Sequence, residues 1–182
     1  MPLQKDKLLA TKEDFTDFRD ISANVKSTRL EGYVRESQIV EIRDFVGQSL
    51  YTAIQNDYDE TLKTFTDPRF DDLWFGTEYT TTTGETWRFN GLLSALIYWS
   101  YGRFLVQQQV NVSRFGVESV QNDISEDIDV AQVRIKQRDA QQVALRYQND
   151  AEKFLNTNAA VYPEYVKNNT DPRRSAFTFF KV

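Results

Sequence analysis

The stretch "GLLSALIYWSYGRFLV", residues 91–106, decides the fold of this 182-residue chain. Its apolar side chains fall almost all the way round a helical circumference, and a helix of that kind is normally enclosed by others. It is shorter than the roughly 20 residues of a membrane span and carries Arg103 inside it, so the enclosure is by protein. Ser94, Ala95, Ser100 and Gly102 permit close helix contact. Arg103 is expected to snorkel or to pair with a carboxylate. Tyr98, Trp99, Tyr101 and Phe104 read as core packing, not as a cofactor box.

The helix that encloses it is expected over residues 129–156. There Val133, Gln137, Ala140, Ala144, Tyr147, Ala151 and Phe154 recur at alternating spacings of four and three, a heptad-like seam. The seam residues are mostly small and suit a bulky neighbour such as the 91–106 helix. The outer face ("KQRDAQQ", "RYQND") is charged and glutamine-rich, fit for solvent or for a neighbouring subunit.

Upstream, a helix is expected from Ser27 or Thr28, where Thr28 and Glu31 have capping-box spacing. Leu30, Val34, Ile39, Ile42, Phe45, Val46 and Leu50 supply its apolar positions, and Gly47 marks a kink or restart. Before it, Thr11 followed by acids suits a helix start, "ISANVK" reads as extended, and the first 29 residues form a docked but partly loose arm. "DPRFDDLWFG" (67–76) reads as a short helix with Asp67 as cap, Pro68 in the first turn and Gly76 at the end. "TEYTTTTGETWRFN" (77–90) reads as a β-hairpin turning at Gly84. Two uses suit it equally: a cover for the core, or a finger on a neighbouring subunit.

Downstream, "NVSRFGVES" (111–119) reads as an extended connector between the two long helices. Phe115 and Val117 share one side of it, Arg114 and Glu118 the other, and Gly116 meets a backbone demand. "NAAVYPEYV" (158–166) is a short element interrupted by Pro163. In "DPRRSAFTFFKV" (171–182), Pro172 stops any helix and the Phe177, Phe179 and Phe180 rings have to be buried, on this domain or on another chain.

The composition narrows the chemistry. Hydrophobic residues make up 40%, aromatics 14% and charged residues 27%; the net charge is −5, and there is neither cysteine nor histidine. Thiol nucleophiles, disulfides, Ser-His-Asp and Cys-His arrangements and His-bearing zinc sites are thereby excluded. A dedicated nucleic-acid binder is disfavoured, because phosphate binding draws on basic patches. The N-terminal stretch lacks the apolar core of a secretory signal, which suggests a soluble protein made in the cytoplasm. Asp71 and Asp72 are adjacent, so on a helix they diverge. Asp123, Glu126, Asp127 and Asp129 lack the spacing of a calcium loop and suit the positive end of the long helix instead. No cofactor or metal is expected.

The expected architecture is mainly α: a small antiparallel helical bundle with an inserted β-hairpin and extended N- and C-terminal arms. Residues 1–170 form one domain with the hairpin inserted at 77–90, and residues 171–182 form an aromatic arm.

Three segments in order, "YVRESQIVEIRDFVGQSLYTAI" (33–54), "GLLSALIYWSYGRFLVQQQVNVSRFGVES" (91–119) and "ALRYQNDAEKFLNTNAAVYPEY" (144–165), resemble the head–tail connector proteins of tailed bacteriophages, also called adaptor, neck-ring or head-completion proteins. The likeness is greatest to the versions of Bacteroidota phages, including the crAss-like phages. It covers about two-thirds of the chain and is a packing pattern without a catalytic signature. The resemblance implies a non-enzymatic structural protein of the virion neck, assembled in the host cytoplasm. It implies a homo-oligomeric ring of about twelve copies, binding the portal protein on one side and another neck or tail protein on the other, with DNA passing through the channel. Thr82, Thr83, Gly84, Glu85, Arg114, Arg173, Arg174, Phe177, Phe179 and Phe180 are the candidate inter-subunit or partner contacts. The C-terminal arm departs from the family pattern in its aromatic content. Two rival readings remain: a carboxylate and divalent-metal enzyme around Asp71, Asp72, Glu78 or Asp123–Asp129, and a cytosolic helical adaptor unrelated to phage.

Overall fold

The central apolar stretch folds as expected into a 17-residue helix, here α6 (Gly91–Gln107). The computed structural model describes residues 6–18, 25–107, 110–113, 116–119 and 130–165. In chain order the elements before α6 are α1 (Lys12–Thr16), α2 (Ser27–Ser37), a π-helical turn (Gln38–Ile42), α3 (Arg43–Val46) and α4 (Gln48–Asp57), then a two-residue ribbon, β1 (Tyr58–Asp59) with β2 (Thr64–Phe65), α5 (Pro68–Phe75), and the hairpin strands β3 (Thr77–Thr80) and β4 (Thr86–Phe89). After α6 come β5 (Val110–Ser113), β6 (Gly116–Ser119) and α7 (Val130–Thr157).

α6 and α7 run antiparallel and form the axis of the bundle. Tyr98 meets Tyr147 with ring centroids 5.6 Å apart, and a Cβ on Gly102 would lie 3.8 Å from the Ala140 methyl. At the other end Phe89, just before α6, stacks on Phe154 at 4.5 Å. The α7 seam is therefore the expected one, with Ala140, Ala144, Ala151 and Phe154 buried. Every residue from Gly91 to Ile97 is buried, which enclosing helices and the hairpin base make possible. Each large aliphatic chain so enclosed contributes about 2 kcal/mol. The buried hydroxyls of Ser94 and Ser100 donate back to the carbonyls of Asn90 and Leu96, both at 2.7 Å, and so leave no orphan.

α2 packs across α6, and Arg103 finds two carboxylates, Glu36 of α2 at 3.4 Å and Glu41 of the π turn in a shorter contact. Burial raises the Glu41 carboxyl above the ordinary range, with Arg103 opposing it. Gly47, at φ 83°, separates α3 from α4 as the sequence suggests. The π turn before it was not visible in the sequence pattern. It accommodates one extra residue and leaves Ile39 and Val40 at the surface.

Helix α2 begins differently from the expectation. Thr28 has already entered helical geometry and is exposed, so the Thr28–Glu31 capping box does not form. Lys26 takes the cap position with no side-chain cap bond. An N-cap needs an extended backbone, and Thr11 has one (φ −118°, ψ 175°). There the Asp14 carboxylate accepts the Thr11 backbone N–H at 2.6 Å.

The N-terminal arm is docked over its described part. Gln55 brackets Lys7, accepting its N–H at 2.7 Å and donating to its carbonyl at 3.2 Å. Gln38 spans two residues of the arm, accepting the Leu9 N–H at 2.9 Å and donating to the Lys7 carbonyl at 2.9 Å. Leu9, Ala10 and Phe15 are thereby carried into the core.

Two ribbons add to the expected hairpin. Tyr58–Asp59 pairs with Thr64–Phe65. The segment read as a plain connector is itself an antiparallel pair, with Val112 opposite Val117 and Ser113 opposite Gly116. β-Branched valines at alternate positions are the physical reason. The expectations for residues 21–24, for the acids at 123–129 and for the arm at 171–182 lie outside the described residues.

Candidate interaction surface

The hairpin stands on two glycines that touch. Gly76 closes α5 at φ 100°, and Gly91 opens α6 at φ 80°. A Cβ on Gly76 would lie 2.4 Å from the Phe89 carbonyl oxygen, and one on Gly91 would lie 2.2 Å from that of Trp74. Only glycine permits both the backbone conformation and the approach. The crossing sets where β3 leaves and β4 returns.

From that crossing the strands pair Thr77 with Phe89, Glu78 with Arg88, Tyr79 with Trp87 and Thr80 with Thr86. Alternation puts Tyr79, Trp87 and Phe89 on one face. Tyr79 meets the Phe154 ring edge-on at 5.2 Å, while Phe89 stacks on its face. Trp87, farther out, remains 43% exposed. Its indole N–H donates to Glu85 at 3.2 Å, and the Lys153 ammonium lies 5.5 Å above its ring. Lys153 is itself paired with Asp150 at 3.0 Å. The result is an anchored base with an aromatic, charged and largely exposed shaft.

The tip is ordered by Thr81. Its N–H donates to the Glu85 carbonyl at 2.8 Å, and its carbonyl accepts the Gly84 N–H at 2.9 Å. Thr82, Thr83, Gly84 and Glu85 are all exposed, and Gly84 turns at φ 86°. These are the four candidate contacts that the structure brings together. Arg114, Arg173, Arg174, Phe177, Phe179 and Phe180 lie outside the described residues. Trp87 and Arg88 belong to the same surface, although the sequence reading placed them only within the hairpin segment 77–90. The available signal was "TWRF": a tryptophan on the strand end distal to its buried phenylalanine has no core to enter.

At the hairpin base a cleft of about 550 Å³ opens between Phe75, Glu78, Arg88 and Tyr147, with Phe18 from the N-terminal arm at its edge. Of the carboxylates considered for metal chemistry, the described ones, Asp71, Asp72 and Glu78, are not gathered there. Asp71 turns back to accept the Phe65 N–H at 3.3 Å, Asp72 is exposed, and Glu78 sits on the hairpin opposite Arg88. Among the described residues no group of three His, Cys, Asp or Glu side chains is placed to hold a metal ion.

Beyond α7 the turn at Tyr162–Glu164 is clasped to α5. Arg69 takes the Glu164 carboxylate through both terminal nitrogens, binds Asp67 at 2.8 Å, and accepts the Tyr162 hydroxyl on its own carbonyl at 2.7 Å. This fixes the place from which the chain continues toward its C-terminal segment.

The class these features define is a small helical domain, built on two antiparallel axial helices and carrying an exposed aromatic hairpin. The chain belongs to a family of unknown function, DUF6712, whose model matches residues 42–175, from the last residue of the π turn to beyond the end of α7. No curated protein and no solved structure matches the chain.

Proposed function

We propose that this chain is a structural subunit of the neck of a tailed bacteriophage. In this reading, copies close into a ring, about twelve in the proteins it resembles, between the portal and the next neck or tail protein and around the DNA channel. The observation that carries the reading is the hairpin. It is rigidly anchored by Phe89 and Tyr79 on Phe154, yet it offers an exposed tip and a 43% exposed Trp87. Tryptophan, tyrosine and arginine concentrate the energy of protein interfaces, and all three lie on this hairpin. The ordered likeness of three packing segments to connector proteins supports the same reading. So does the absence of histidine and cysteine from the whole chain, which removes the commonest catalytic groups. An acidic overall balance of −5 suits a wall past which DNA slides.

Electron microscopy of the purified chain and of virions from the phage that encodes it tests the proposal. A ring with a central channel, and density for the chain at the portal vertex, are the expected results. A protein that stays monomeric and is missing from virions overturns it. Trp87→Ala should leave the melting temperature within a few degrees of the parent while weakening assembly.

A further inference from the structure

Over its N-terminal half, α7 buries only a narrow stripe. Val133, Ala140 and Ala144 face the bundle. At 100° per residue, Arg134, Arg138, Leu145, Ile135 and Arg146 fall within about 120° of one another on the opposite side. All five are exposed, Ile135 at 57% and Leu145 at 46%. None of the three arginines forms an ion pair among the described residues. In a chain of net charge −5, this face is basic and partly apolar.

Its counterpart lies at the other end of the molecule. Residues 57–72 hold six carboxylates against Lys63 and Arg69. Both cations are already engaged, Lys63 by Glu13 at 3.0 Å and Arg69 by Asp67 and Glu164. Within this acidic region Leu62 is 69% exposed, and Glu60 and Asp72 are also exposed. Arg69 ties the region to the turn after α7, whereas Arg134 lies about 35 Å up the helix axis from Thr157.

We propose that these two surfaces bind each other between copies of this chain. The Arg134–Arg138–Arg146 face of one copy, with Ile135 and Leu145, docks on the acidic ribbon and α5 of the next, with Leu62 among the carboxylates. Each copy offers one surface of each sign, so the contact is head to tail and like surfaces repel. The exposed aliphatic residues between the arginines favour a protein partner over a phosphate backbone, because Leu62 gives them something apolar to cover. This inference deepens the ring reading, on which it rests for closure, by naming the two lateral surfaces.

The test measures self-association of the full chain by sedimentation across a concentration series at low and high salt. Two double variants accompany it: Arg134→Glu with Arg138→Glu, and Glu60→Lys with Asp72→Lys. The parent should associate, at least tenfold more weakly at high salt. Each double variant alone should be monomeric, with unchanged circular dichroism. An equimolar mixture of the two should assemble again, because the reversed surfaces then match. Rescue also shows that both variants are folded. Association unaffected by either variant overturns the inference while leaving the ring reading standing. A parent that stays monomeric overturns it as well, and the ring reading then rests on the virion images. Binding of a short DNA duplex through the same arginines, without self-association, assigns the face to nucleic acid and also overturns it.

Discussion

The guanidinium of Arg69 grips the Glu164 carboxylate through two parallel hydrogen bonds, at 2.9 and 2.8 Å, across 95 residues of sequence. Paired in this way, Glu164 is held below the ordinary carboxylate range, chiefly by its bonds to Arg69. A carboxyl depressed in the folded state stabilises above its unfolded value, about 4.3 for glutamate, and loses that contribution as pH falls through the folded value. Glu164→Gln should therefore cost stability at pH 7 and almost nothing below the folded value. Urea unfolding across a series from pH 7 into acid checks this, with a difference of about 1–2 kcal/mol expected at pH 7 for a charge-assisted pair and shrinking as the pH falls.

The glycine crossing under the hairpin separates two kinds of glycine. Gly84 turns at φ 86° with nothing near its missing Cβ, whereas Gly91 has a similar φ and a carbonyl 2.2 Å from that position. Gly84→Ala should cost about 1–2 kcal/mol, the price of a left-handed backbone alone. Gly91→Ala adds a clash with main chain that no rotamer relieves, and should cost about 3 kcal/mol or more. Thermal melts of the two variants should rank in that order, and equal losses would refute the crossing.

Arg103 and Glu41 make the opposite pH case. The Glu41 side chain is mostly enclosed, one of its oxygens makes no hydrogen bond, and burial raises its carboxyl despite Arg103. Removing Arg103 leaves the burial and takes away the attraction, so the folded value rises further. A raised carboxyl stabilises below its unfolded value and loses that stabilisation as pH rises. Arg103→Met should therefore be destabilised by about 3 kcal/mol at pH 7 and should recover toward the parent near pH 4. Chemical denaturation across that range measures it. A pH-independent deficit would mean that packing alone is lost.

How far the sequence predicted the fold depended on whether the forces were local. The apolar circumference of residues 91–106, the alternating seam of α7 and the Asp67–Pro68–Gly76 punctuation each carry their meaning within one turn or two, and each became the expected element. The π turn at Gln38–Ile42 did not show, because its cause is tertiary: Gln38 has to reach the main chain of Lys7 and Leu9. The Thr28–Glu31 spacing misled because it occurs one residue inside the helix. The surfaces were the least legible part. The tip at Thr82–Glu85 follows from turn chemistry, but the "TWRF" signal for Trp87 gains its meaning once the register with Tyr79 shows which end is buried, and the arginine face of α7 appears only once Ala140 and Ala144 fix which side is in.

The contact at the middle of the bundle yields a prediction against first expectation. Gly102 faces α7, which invites the idea that only glycine fits. Its nearest neighbours to an added Cβ are the Gln137 carbonyl oxygen at 3.7 Å and the Ala140 methyl at 3.8 Å, an ordinary van der Waals distance. Glycine inside a helix costs about 0.8–1 kcal/mol relative to alanine through backbone entropy. Gly102→Ala should therefore stabilise the protein by about 0.5–1 kcal/mol, helped by the added contact. Gly102→Leu has no such room, and overpacking against Ala140 should destabilise by about 1–3 kcal/mol. Urea midpoints that move in opposite directions for the two variants would confirm the α6–α7 spacing, and a loss in Gly102→Ala would show that the helices sit closer than this.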